Sequence, residues 1–187
     1  VVQQFRFDAE TGALVDADLP AFEVGPGFAP RHLAFHPSRP MAYLLNERGG
    51  TVDQLVLDGD EIRFEATFPY QPASHDGDAW GAQILVGADG RFLYTSERNS
   101  STVQVHAIDP TDGSLVMSGA WPVEACPRNF ALSACGRWLI VAGEKSDHVA
   151  SHALDEAAGG IGLPAARRLA VGAGPVWVAT LARASTS

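Results

Sequence analysis

Along residues 30–47, "PRHLAFHPSRPMAYLLNE", two short apolar runs flank a polar turn. The same layout returns at 80–97, "WGAQILVGADGRFLYTSE", and at 127–144, "PRNFALSACGRWLIVAGE". Each run has strand length, favours β-branched and aromatic residues and is bounded by Pro, Gly, Asp or Ser. Each pair therefore predicts a β-hairpin, turning at Ser38-Arg39, Asp89-Gly90 or Cys135-Gly136. A third run follows in each copy ("TVDQLVL" from Thr51, "TVQVHAI" from Thr102, "HVASHAL" from His148) with the alternation of a half-exposed strand. A fourth ("IRFEATF", "LVMSGAW", "ARRLAV") closes each unit after turn signals at 58–60, 109–114 and 156–160. Glu47, Glu97 and Glu144 mark the repeat at intervals of 50 and 47 residues. Four antiparallel strands at that period predict the blades of a β-propeller.

The expected fold is all-β, a partial propeller with complete blades near 25–75, 76–125 and 126–174. Residues 1–7 and 19–24 read as the last two strands of an earlier blade, and "GPVWVAT" at 174–180 as the inner strand of another, so that 1–24 and 175–187 are partial blades. A closed ring needs at least four blades. The chain therefore reads as the C-terminal half of a longer protein, its ring completed by N-terminal blades or by a second copy. Standing alone, it is expected to expose apolar blade faces and an unpaired edge.

Composition narrows the partners. With 46% hydrophobic and 19% charged residues the chain is globular, and a net charge of −9 excludes nucleic acid and anionic membrane as main partners, since both need clustered Lys and Arg. A small anion held by a few local arginines remains open. The chain lacks the run of about 18 apolar residues that a membrane helix needs, and no signal peptide is visible. Cys126 and Cys135 are too few and too isolated for a disulfide framework or a zinc site, and read as buried or half-buried thiols in a reducing compartment.

Candidate chemistry follows from hairpin arithmetic. The start of one strand lies beside the end of the next, which pairs Arg31 with Glu47, Gly81 with Glu97 and Arg128 with Glu144, each 16 residues apart. Because propeller inner strands converge on a channel, these pairs are expected on one rim, with Arg98 and Lys145 beside them. Structural ion pairing and function are equally open for Glu97 and Glu144. Function is favoured for Arg31, Glu47 and Arg128, because guanidiniums grip phosphate or carboxylate and a carboxylate can activate water. His32 and His36, like His148 and His152, stand four apart, roughly 13 Å along a strand, so no shared metal is expected. "SHDGDAW" at 74–80 puts His75, Asp76 and Asp78 on a loop, a surface loop first and a channel overhang second. Trp80, Trp121, Trp138 and Trp177 read as core between blades.

The blocks "GFAPRHLAFHPSRPMAYLLNE", "DGDAWGAQILVGADGRFLYTSER", "ACPRNFALSACGRWLIVAGEKSDHV" and "AVGAGPVWV", in this order, resemble the C-terminal half of the seven-bladed propeller lactonases. That family includes the bacterial propeller-type 6-phosphogluconolactonases and is related to the fungal carboxymuconate cyclases. The resemblance implies hydrolysis of 6-phospho-D-glucono-1,5-lactone to 6-phosphogluconate, in the pentose phosphate pathway and the cytoplasm, with no cofactor. It implies that Arg31, Arg98 and Arg128 hold the phosphate and polarise the carbonyl, that Glu47 activates water, and that His32 and Asn129 adjoin them as substrate contacts, to which the 74–80 loop would add His75. Gln83 stands where relatives usually carry an acid, which removes a potential base or ion pair. Two alternatives remain: a lactone-forming cyclase, whose substrate is also anionic, and a non-catalytic binding scaffold.

Overall fold

The predicted meanders form as separate antiparallel sheets in a computed structural model, which describes residues 1–19, 21–71 and 77–181. A small hairpin of β1 (Phe5–Phe7) and β2 (Leu14–Asp16) comes first. It is followed by a four-stranded blade of β3 (Pro30–Phe35), β4 (Met41–Asn46), β5 (Thr51–Asp58) and β6 (Glu61–Pro69). The second blade holds β7 (Gly81–Val86), β8 (Phe92–Glu97), β9 (Thr102–Ile108) and β10 (Leu115–Pro122). The third holds β11 (Pro127–Leu132), β12 (Trp138–Gly143), β13 (His148–Ala153) and β14 (Arg167–Ala170). Within each blade, strands adjacent in sequence are adjacent in the sheet. The inner strand β7 packs against the inner strands β3 and β11 of its neighbours.

Stacked blades bury what a single sheet cannot. Tyr43, Leu45 and Val52 of the first blade meet Ile84 and Leu93 of the second in one apolar cluster. Tyr94, Val103 and Val105 meet Phe130, Leu139 and Val141 of the third in another. Large apolar side chains stay exposed at the two ends of the stack, among them Phe7 and Leu14 at one and Leu169 and Trp177 at the other.

Both chain ends depart from the strand pattern expected. The second strand of the first hairpin lies at Leu14–Asp16, and among the described residues of 19–24 the pairing is an isolated bridge between Phe22 and Val2. The cause is local turn chemistry: Asp8 Oδ1 accepts the backbone N–H groups of Glu10 and Thr11 at 2.9 and 3.1 Å, and Gly12 takes φ 74°, so the chain reverses early. Residues 174–180 form no strand. They lie beside β11, where Asn129 Oδ1 accepts the Val178 N–H at 2.9 Å and Thr180 Oγ1 donates to Leu132 O at 2.7 Å. Trp138 and Trp177 belong to the exposed end of the third blade, whereas Trp121 does pack against the core.

His106 on β9 is a weak point of this core. It is 1% exposed, faces Pro69 O through Nε2 at 3.3 Å, and its Nδ1 has no partner among the described residues. Burial pushes its pKa down, opposed only by the Pro69 carbonyl. The unfolded chain thus binds a proton that the folded chain refuses: stability is full above about pH 6.5 and is lost as pH falls below it. Leu55, fully buried, occupies the matching place on β5, opposite Ala42 as His106 lies opposite Leu93. His106→Leu is therefore expected to reduce the stability lost between about pH 7 and pH 5, measured by urea denaturation at both pH values. Equal losses in both proteins would refute it.

Candidate active site

The predicted Arg–Glu neighbours are in place, with a feature that spacing did not reveal. All three inner strands shift register near their start, between Pro30 and His32, Gly81 and Ile84, and Pro127 and Asn129. Such bulges re-aim side chains. Arg31 and Arg128, the bulged residues, turn toward the carboxylates: Arg31 Nε is 3.5 Å from Glu47 Oε2, and Arg128 Nη1 is 3.6 Å from Glu144 Oε2. Ala29 and Cys126, one residue before each Pro-Arg pair, hold φ of 54° and 56°, a left-handed conformation that costs a non-Gly residue about 1–2 kcal/mol. Their carbonyls accept the N–H groups of Glu47 and Glu144 at 2.9 and 3.1 Å, so the strained residues anchor the two acids.

The three glutamates occupy one repeat position and do three different things. Glu97 is completely buried, its Oε1 taking the Trp80 N–H at 2.8 Å and its Oε2 the Ser100 N–H and hydroxyl at 2.5 and 2.6 Å. It is a loop clamp. Glu144 faces Arg128 and accepts the Cys126 thiol at 3.6 Å, while burial and this carboxylate push the thiol pKa up. Glu47, with a side chain 23% exposed, collects Arg31 from its own blade and both Arg98 and Trp80 from the next.

Gly81 breaks the Arg pattern for a steric reason. A Cβ there would come within 2.5 Å of the Tyr70 hydroxyl, which donates to Glu47 O at 3.1 Å. The Gly81 N–H also donates to Glu47 O, at 2.9 Å, and ties the two blades together under the acid.

Arg98 lies buried beneath Glu47. Its side chain is 2% exposed and its donors are turned inward, Nη2 to Glu47 Oε1 at 2.5 Å and to Gly81 O at 2.8 Å, Nε to Trp80 O at 3.2 Å. The guanidinium also lies 4.1 Å from the centre of the Trp80 ring. Asn129 is likewise buried, its Oδ1 accepting the Val178 backbone N–H. Trp80, expected in the core, sits half-buried at the rim instead. His75 and Asp76 lie outside the described residues.

His32 is a holder rather than a free base. Its Nδ1 lies 2.7 Å from Gln83 Oε1 and 2.9 Å from Arg31 Nη1, and its Nε2 lies 3.1 Å from the same Arg31 nitrogen, so the ring is wedged between the amide and the guanidinium. Burial first, and then the Arg31 charge, push its pKa down, opposed by the Gln83 hydrogen bond and the Glu47 charge. Gln83 thus holds the ring that packs against Arg31, linking position 83 to the rim through His32. Arg31 also donates to Ala82 O. Burial lowers the pKa of Arg31, Arg98 and Arg128 push the same way, and Glu47 opposes them. Three guanidiniums thus share one neighbourhood, a local positive field in an acidic protein.

Arg48 escaped the sequence pattern although it follows Glu47 as Arg98 follows Glu97. It is exposed, 5.6 Å from the Trp80 ring centre. Cys126 is buried and Cys135 exposed, and no group of three or more His, Cys, Asp or Glu side chains gathers as metal ligands among the described residues. Among the same residues no helix is long and apolar enough to cross a membrane.

Four-stranded antiparallel blades whose inner strands pack together, with arginines around a partly exposed carboxylate, define a partial β-propeller with a polar inner rim. The family model of the seven-bladed β-propeller lactonases matches residues 1–180, and the chain belongs to that family. It is 35% identical over 184 residues to a 6-phosphogluconolactonase of Serratia proteamaculans, covering 97% of this chain and 55% of the relative. It is 38% identical over 176 residues to that of Sodalis glossinidius, covering 93% and 53%. Among solved structures, the periplasmic gluconolactonase of Pseudomonas aeruginosa superposes with a TM-score of 0.84 at 31% identity, over 91% of this chain and 48% of that one. The chain spans about half the length of the curated relatives it matches.

Proposed function

We propose that this chain supplies the catalytic rim of a lactonase that hydrolyses 6-phospho-D-glucono-1,5-lactone to 6-phosphogluconate. One observation carries the proposal: a partly exposed carboxylate, Glu47, held among arginines on a propeller rim. Water attacks the lactone carbonyl carbon and gives its proton to Glu47. The new C–O bond forms as the carbonyl becomes an oxyanion, which the Arg31 guanidinium faces. Collapse breaks the ring C–O bond, and the leaving alkoxide takes the proton back from Glu47, giving the open hydroxy acid. Arg128, 40% exposed and only loosely paired, is the rim cation for the phosphate.

The ring needs more blades than the three complete ones here, and the exposed Phe7, Leu14, Leu169 and Trp177 support completion by further blades or by a second copy. A phosphorylated lactone of the pentose phosphate pathway puts the reaction in the cytoplasm. The likeness to a periplasmic gluconolactonase supports a second reading, an unphosphorylated lactone.

Both substrates decide the matter when freshly prepared lactone is followed against its spontaneous hydrolysis, with this chain and with a complete propeller carrying it. Acceleration is expected, with Arg128→Ala losing about tenfold or more in kcat/KM on the phosphorylated lactone and little on the unphosphorylated one. Equal losses on both would remove Arg128 from phosphate binding, and no acceleration by the complete propeller would sink the lactonase proposal.

A further inference from the structure

We infer that Trp80 is a positioning residue that fixes which oxygen of Glu47 takes the proton, an inference that rests on the lactonase reading for its catalytic consequence. The two oxygens of Glu47 have unequal surroundings. Oε1 accepts the Trp80 indole N–H at 2.9 Å and Arg98 Nη2 at 2.5 Å. Oε2 has only Arg31 Nε at 3.5 Å, beyond good hydrogen-bonding distance, among the described residues. Two charge-assisted donors occupy the lone pairs of Oε1, which leaves Oε2 as the basic atom turned to the rim.

Trp80 can hold that geometry because it is itself held from several sides. Its backbone N–H is clamped by the buried Glu97, its carbonyl accepts the Arg98 backbone N–H at 3.1 Å and Nε at 3.2 Å, and the Arg98 guanidinium packs on its ring. The second blade therefore grips the acid of the first through a rigid aromatic lever whose one polar atom points at Oε1. An indole at this place supplies both a planar surface for guanidinium and a directed donor, which Phe cannot match. Glu97, the buried relative of Glu47 in the repeat, acts on Glu47 through this lever without touching it.

Two measurements test this. In a spectrum of the ¹⁵N-labelled chain, the Trp80 indole N–H peak, assigned by its loss in Trp80→Phe, is expected to move in Glu47→Gln. The other tryptophan indole peaks are expected to stay. In a complete propeller, Trp80→Phe is expected to lower kcat about tenfold with KM within about twofold, as the loss of one hydrogen bond to a carboxylate. A purely structural role would lower the folded fraction and leave kcat per folded molecule unchanged. An indole peak unmoved by Glu47→Gln, or an unchanged kcat in Trp80→Phe, overturns the assignment. A wild-type propeller without turnover overturns the lactonase reading instead, and the spectrum of the chain judges the indole contact independently of that result.

Discussion

In a complete propeller carrying this sequence, Glu47→Gln is expected to lower kcat on 6-phosphogluconolactone by at least about 100-fold while KM changes little, the usual cost of removing a general base. Gln keeps an oxygen that can accept from Trp80 and Arg98, so the side chain can stay in place. What it loses is the basic oxygen at the Oε2 position and the charge that balances the arginines. Initial rates against the spontaneous background, on protein shown folded by circular dichroism, measure the effect. Turnover within about threefold of wild type would remove Glu47 from the role of base, because general-base catalysis is worth far more than that.

Arg98→Met is expected to cost about 3 kcal/mol of stability, since breaking one side of a buried, hydrogen-bonded pair leaves the other charge poorly compensated. Three acceptors lose a guanidinium donor together: Glu47 Oε1, Gly81 O and Trp80 O, the first keeping the Trp80 indole N–H and the last the backbone N–H of residue 98. The pairs Arg6–Asp60 and Arg63–Asp58 have side chains more than half exposed, and each contributes about 0–1 kcal/mol. Removing either should hardly register. Urea denaturation of the chain checks both statements, and a loss below about 1 kcal/mol for Arg98→Met would mean that the cluster at Glu47 relaxes around the gap.

Much of the architecture was readable from residue order. Alternation and turn residues located the twelve blade strands, because short-range patterning governs which face of a strand is buried. Hairpin arithmetic also brought Arg31 to Glu47 and Arg128 to Glu144. It failed at the first hairpin, where the Asp8 turn reverses the chain early, and at 174–180, where inner-strand composition met no strand to pair with. The bulges at Arg31 and Arg128 left no signal in the spacing, since one extra residue in a strand does not disturb the repeat.

Roles within the rim were less legible than positions. Glu47, Glu97 and Glu144 are equivalent in the repeat, and only Ser100, three residues after Glu97 where the others have Gly50 and Asp147, separates the clamp locally from the partly exposed acid. The difference comes from the neighbouring blade: Trp80 is 33 residues from Glu47 and Arg98 is 51, and both converge on one oxygen. Local sequence sets which residues alternate in and out of a strand, and so it sufficed for the blades. Burial and partner choice depend on how one blade packs on the next, and only that packing buried Arg98 and Glu97 while leaving Glu47 partly exposed.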